Sequence, residues 1–335
     1  MIRDYVKGID GLRAICALCI LLGHIPAKFC ADWIVTPIPL PVCCAYVFFV
    51  ISGFLAGNRM DSMVSPRDYL LKKAKRILPL YYSYILVSIL VFIILHRGKE
   101  ILNPRIYYYL FLLPSIPFSE SNGIAPLVHL WFIGTLLLIY LVFPVFAKLC
   151  RNKGESKAII YAIIVSIAWF CIKMGCRFFI GKDSLSYRLV SVTCFDVLFL
   201  GVIGGLVGKI HSPGFSKLAN IVTIVAWILF LSSGLYGRFI PAPIRIEYVA
   251  IISLLIILGQ QEASFIGCLD NKVFRWLSSI SYEIYVTQIL VIILLSAAYM
   301  SLNLHFCDLS VYLISVFCVV VCSQIWKSFL RIFSH

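Results

Sequence analysis

Long apolar runs separated by short polar stretches dominate this chain. Continuous runs of about 17–24 residues fall at 12–29, 41–58, 77–96, 127–149, 158–180, 191–208, 218–236, 246–261, 279–300 and 309–330. As helices, such runs cover a hydrocarbon core roughly 30 Å thick. The ten-residue alternation of a membrane β-barrel is absent. The pattern predicts an all-α, polytopic integral membrane protein with about ten transmembrane helices, organised as a single transmembrane domain over residues 1–335. Within the loop 97–126, the run Ile106–Leu113 followed by Pro114 and Pro117 is too short to span. A short interfacial or re-entrant helix is expected there.

Polar residues inside the runs are the candidates for chemistry, because each is costly in a membrane and tends to face an interior or a cavity. Arg13 and His24 lie eleven positions apart in the first run. On a helix they share one face, about three turns or roughly 16 Å apart. That spacing suits a polar cleft crossing much of the bilayer. It also suits an Arg13 that snorkels to the interface and a His24 that bonds a neighbouring helix. Ser52-Gly53 in the second run either lets another backbone approach or makes Ser52 a substrate ligand. The basic stretch Lys72-Lys73-Ala74-Lys75-Arg76 leads into Pro79, Tyr81 and Tyr82. It serves topology and anionic lipid, or it binds phosphate. His129 and Trp131 open the fourth run, as interface anchors or as cavity lining. Tyr282, Tyr285 and Gln288 recur every three residues in the ninth, as a polar strip or as helix–helix hydrogen bonds.

Composition sharpens the class. The chain is 61% hydrophobic and 13% charged, with a formal net charge of +14. A soluble domain is about 45–50% apolar and about 25% charged. The basic residues sit in short loops, so the excess charge reads as topology and no nucleic-acid partner is expected. Loops 59–76, 150–157, 209–217 and 262–275 and the tail after 330 carry most of them. The alternate loops hold fewer, among them Arg97, Lys99, Arg105, Lys182, Arg188, Arg238 and Arg245. The bias places both termini in the cytoplasm and the protein in the cell (cytoplasmic) membrane. Arg3, Lys7 and the following apolar run mimic a signal peptide, and the later spans favour an uncleaved first helix. Most of the thirteen cysteines lie in apolar runs as small hydrophobes. Cys16, Cys19, Cys43 and Cys44 lack the partners of a zinc site, so no metal is expected. A disulfide among Cys30, Cys43 and Cys44 is left open.

Together these motifs are a resemblance. Gly8-Ile-Asp10-Gly-Leu-Arg13 followed by His24 resembles the Arg-x10-His signature of acyltransferase family 3, integral membrane enzymes that move acyl groups, commonly acetyl from acetyl-CoA, onto sugars and other hydroxylated acceptors. Phe48-Phe49-x-x-Ser52-Gly53-Phe54, Lys75-Arg76-Ile-Leu-Pro79-Leu-Tyr81, His129-Leu-Trp131 and Ser281-Tyr282-x-x-Tyr285 resemble its later elements, in order, over residues 8 to 290. Two departures stand out. Many members carry a Glu-Glu pair where this chain has Leu136-Leu137, and a His near Gln288. Some members add an extracytoplasmic esterase-like domain, and this chain resembles the membrane-only form.

The resemblance implies an O-acyltransferase, most simply an O-acetyltransferase of cell-envelope polysaccharide. Its donor is acetyl-CoA or another acyl-CoA used as a co-substrate, with no tightly bound cofactor. Its acceptor is a carbohydrate or lipid-linked glycan. Membrane lipids are further partners, and self-association stays open. His24 is the expected base and Arg13 its charge-holding partner, fixed by a bidentate pair with Asp10. Lys73 and Arg76 are the expected CoA contacts. Ser52, His129, Trp131, Tyr282, Tyr285 and Gln288 are the expected substrate contacts. Two rival classes remain: a transporter or flippase of a lipid-linked sugar, and a non-enzymatic partner in polysaccharide export.

Overall fold

A computed structural model describes residues 8–25, 41–62, 65–208, 216–262, 269–302 and 308–332. Among them no strand occurs, and helices account for almost all of the chain. They are α1 (Ile9–His24), α2 (Pro41–Asn58), α3 (Pro66–Ile94), α4 (Trp131–Cys150), α5 (Glu155–Gly175), α6 (Leu185–Thr193), α7 (Phe195–Val207), α8 (Ser216–Leu231), α9 (Ala242–Glu262), α10 (Lys272–Ser279), α11 (Ser281–Ser301) and α12 (Asp308–Ile332). Several short turns of helix fill residues 98–130.

Seven spans among the described residues are long and apolar enough to cross a membrane, and an eighth is Leu218–Leu231 joined at 49° to Ser233–Phe239. The protein is therefore a multi-pass membrane protein, and the described residues hold seven or eight of the ten spans expected. The difference lies at the beginning. α1 has 16 residues, and the apolar part of α2 is the short Cys43–Asn58. Both border residues 26–40, which lie outside the described residues, as do Cys30 and both chain ends.

Other boundaries shift for local reasons. Ser65 caps α3, its hydroxyl accepting from the Asp68 N–H, so the basic stretch 72–76 is helix rather than loop. The run 191–208 is broken at Cys194, whose φ of 51° ends α6 and starts α7. Ile106–Leu110 forms the short helix expected in the loop, with Tyr107 and Phe111 exposed.

α2 is the central element. It packs against α1, α7 and α9. Against α7 the contact is backbone on backbone. A side chain at Gly53 would strike the Leu198 carbonyl, and one at Gly201 the Val50 carbonyl. Small residues at such crossings let helices approach closely in a membrane, where burying apolar surface gives no drive.

α4 separates Asn122 from Lys153 by its 20 residues, roughly 30 Å of helix. With the 150–157 loop cytoplasmic, Lys153→Cys is expected to react with an impermeant thiol reagent only after permeabilisation. Asn122→Cys is expected to react from outside in intact cells. The reverse pattern would invert the assignment of sides.

Candidate active site

Two cavities approach each other along α2. The larger, about 610 Å³, is lined by the last turns of α2 (Ser52, Leu55, Ala56), by α3 (Tyr69, Lys72, Lys73, Arg76), by α4 (Phe132, Leu136, Tyr140) and by Arg13, Tyr282 and Tyr285. The second, about 510 Å³, is lined by the first turns of α2 (Cys43, Tyr46), by residues 118–128, and by α6 and α9. Tyr46 and Ser52 are six residues apart, so the cavities come within about 9 Å along the helix axis. Between them lies an aromatic layer. Phe49 lies tilted against Phe132 with ring centroids 4.7 Å apart, Trp131 stacks on Phe118 at 4.9 Å, and Trp131 lies 6.2 Å from Tyr46.

The larger cavity is strongly basic. Arg13, Arg59, Lys72, Lys73 and Arg76 face it, against the single carboxylate of Asp68. Lys73 Nζ sits over the Tyr140 ring at 4.5 Å and over Tyr69 at 5.4 Å, so its charge is held by aromatic faces. Arg13 lies within electrostatic range of Arg76, Asp10, Tyr140 and Glu283. The expected Asp10–Arg13 pair is not formed. The Asp10 carboxylate instead accepts from the Ser278 hydroxyl at 2.6 Å, tying α1 to α10. Arg13 thus keeps its donors for the cavity.

Six of the sequence-derived candidates line this cavity: Arg13, Ser52, Lys73, Arg76, Tyr282 and Tyr285. Tyr282 donates to the Ile77 carbonyl at 3.2 Å, and Tyr285 donates to the His129 carbonyl. The other five are placed differently. Asp10 lies behind Arg13. Trp131 belongs to the aromatic layer. His129 is buried, with 3% of its surface exposed, and lies outside the lining of both cavities. Its Nε2 bonds the Val286 carbonyl at 2.9 Å, while its Nδ1 is buried without a partner. Gln288 is fully buried with neither amide atom paired.

His24 lines neither cavity among the described residues. Its Nδ1 hydrogen-bonds the Ile20 carbonyl at 2.7 Å. A carbonyl only accepts, so Nδ1 carries the proton and Nε2 keeps the lone pair that a general base needs. His24 is also within electrostatic range of His129.

One cluster was not singled out in the sequence. Lys173 of α5 is buried and pairs with Asp196 of α7 and, at 2.6 Å, with Glu247 of α9. All three lie inside the runs 158–180, 191–208 and 246–261. Ionisable residues within apolar runs are the signal that would have found them.

Comparison with known proteins places the chain in a family. The profile of the acyltransferase domain of acyltransferase family 3 matches residues 6–326. The peptidoglycan O-acetyltransferase OatA of Listeria monocytogenes is 23% identical over 316 residues, covering 84% of this chain and 49% of that protein. The putative peptidoglycan O-acetyltransferase YrhL of Bacillus subtilis is 23% identical over 322 residues, covering 87% of this chain and 49% of that protein. The O-acetyltransferase OatA of Staphylococcus aureus is 24% identical over 215 residues, covering 59% of this chain and 34% of that protein. The chain thus spans about half, or less, of the length of the curated relatives it matches. No solved structure matches it significantly. With nearly its whole length matched, the chain belongs to acyltransferase family 3.

Proposed function

We propose that this protein is a membrane O-acyltransferase. It takes an acyl group, acetyl first, from acyl-CoA in the basic cavity and passes it to a hydroxyl of a carbohydrate or lipid-linked glycan that arrives from the opposite side. The supporting observation is the pair of cavities, one lined by five basic side chains and the other by two, on either side of an aromatic layer on α2.

CoA carries several phosphate charges, and phosphate is best held by guanidinium and ammonium donors. Arg76, Lys73 and Arg13 supply them. The pantetheine arm is thin and largely uncharged, so it is the part suited to enter the layer of Phe49, Phe132 and Tyr285. His24 Nε2 removes the proton of the acceptor hydroxyl. The oxygen attacks the thioester carbonyl, the C–S bond breaks, and the CoA thiolate leaves and takes up the proton. The resemblance supplies the role of His24, and the tautomer set by Ile20 supports it. Arg13, too basic to act as a base, holds charge on the donor.

The test uses purified protein reconstituted in vesicles with radiolabelled acetyl-CoA. Protein-dependent release of CoA thiol, with label moving to a hydroxylated acceptor, is the expected result. Acceptor flux without acyl turnover would replace this reading by transport. Arg76→Gln is expected to raise the KM for acetyl-CoA about three- to tenfold with little change in kcat. A bond to a charged group is worth roughly 1.5–3 kcal/mol, discounted here because Arg76 is exposed to solvent. An unchanged KM would leave Arg76 a topological residue.

A further inference from the structure

The second cavity has its own chemistry. Two guanidinium groups, Arg188 of α6 and Arg245 of α9, face it, and no carboxylate lines it. Both stand in the first turns of their helices, where the helix dipole adds positive potential. Arg188 is anchored: Nη1 donates to the Ser119 carbonyl at 3.3 Å and to the Ser121 hydroxyl at 2.8 Å. Its Nη2 reaches only the exposed Asp183, at 3.9 Å. Arg245 donates from Nη1 to the Gly237 carbonyl at 3.3 Å.

The same cavity gathers orphaned polar atoms. Arg245 Nε, Ser119 Oγ and Ser191 Oγ are each buried without a hydrogen-bond partner, and all three residues line it. Ser119 is 2% exposed. Buried polar groups are normally paired, and three unpaired ones around one cavity mark a place where a polar ligand completes them. Tyr46 and Tyr187 add aromatic surface.

We infer that this cavity binds an oxyanion, a carboxylate or a phosphate, carried by the carbohydrate acceptor. Arg188 and Arg245 hold the anion in a fork, and Ser119 and Ser191 bond neighbouring sugar hydroxyls. The inference deepens the proposed function and rests on it for the word acceptor. The substrate is thereby an acidic glycan or a sugar phosphate rather than a neutral sugar.

The experiment measures binding without acetyl-CoA, so it does not depend on turnover. Full-length protein in phosphatidylcholine nanodiscs is titrated with a fluorescent hexasaccharide alternating N-acetylglucosamine and glucuronate, and with the neutral hexasaccharide of N-acetylglucosamine. The acidic probe is expected to bind at least about tenfold tighter, the loss of one charged hydrogen bond being worth about that factor. Arg245→Gln and Arg188→Gln are each expected to remove the advantage, while Arg76→Gln and His24→Ala retain it. Ser191→Leu, which fills the cavity without touching charge, is expected to weaken both probes. It stands in for either arginine variant that does not accumulate. Glucuronate and glucose 1-phosphate compete in separate arms: displacement by either supports the inference and names the oxyanion. Equal binding of the two hexasaccharides, a preference that survives both arginine variants, loss of it in Arg76→Gln, or no displacement by either competitor would overturn it. Acidic-glycan binding with no acyl turnover would instead count against the proposed function alone.

Discussion

His24→Ala is expected to lower acyl transfer by about 10²–10⁴-fold while the protein inserts and accumulates normally. The size follows from general-base catalysis, and the tolerance follows from the site. The His24 ring makes one local bond, to the carbonyl one turn behind it, so its loss leaves no distant group unpaired. His24→Gln is expected to fail equally, because an amide keeps polarity but cannot take and return a proton. The measurement is CoA release from radiolabelled acetyl-CoA, normalised to protein in the membrane. Near-wild-type turnover in either variant would remove His24 from the chemistry and turn attention to His129, whose Nδ1 is buried and unpaired.

Lys173→Met is expected to destabilise the fold by roughly 3–5 kcal/mol, the usual cost of breaking a buried ion pair by deleting one partner. Lys173 joins α5, α7 and α9 through Asp196 and Glu247. Methionine fills the space of the stem but leaves two carboxylates close together where three helices meet. The readout is the midpoint of thermal unfolding in nanodiscs. The triple variant Lys173→Met, Asp196→Asn, Glu247→Gln is expected to recover much of the loss, since it removes the stranded charges. Recovery of stability without recovery of turnover would give the cluster a role in the reaction beyond holding three helices.

The class was legible in the sequence for a simple reason. Continuous apolar runs leave helices as the only spanning solution. Arg13 and His24 were conspicuous because charge inside such a run is expensive. What neighbours each face was less legible. The i, i+3 spacing marks Tyr282, Tyr285 and Gln288 as one strip, yet the first two line the basic cavity and Gln288 is sealed in packing. That split depends on which helices lie against α11. Asp10 likewise has Arg13 one turn away, but Ser278, some 268 positions along the chain, takes its carboxylate. Local spacing sees the first partner and not the second. Lys173, Asp196 and Glu247 carried the same signal as Arg13, but without a motif around them nothing drew them together before the fold did.

The glycine contact between α2 and α7 limits how an acyl group can cross. With Gly53 and Gly201 each lying against the other helix's backbone, α2 and α7 are in close backbone contact along this crossing. The two cavities open on either side of that tightly packed crossing. Whatever yields during passage must then be side chains of the aromatic layer, which turn in picoseconds to nanoseconds when unconfined, rather than domains, which move in microseconds to milliseconds. Such a septum acts as a gauge. In the proposed acyl transfer its width would suit a slender acyl-pantetheine tip and not a nucleotide, so selection by width would precede any contact with the acceptor.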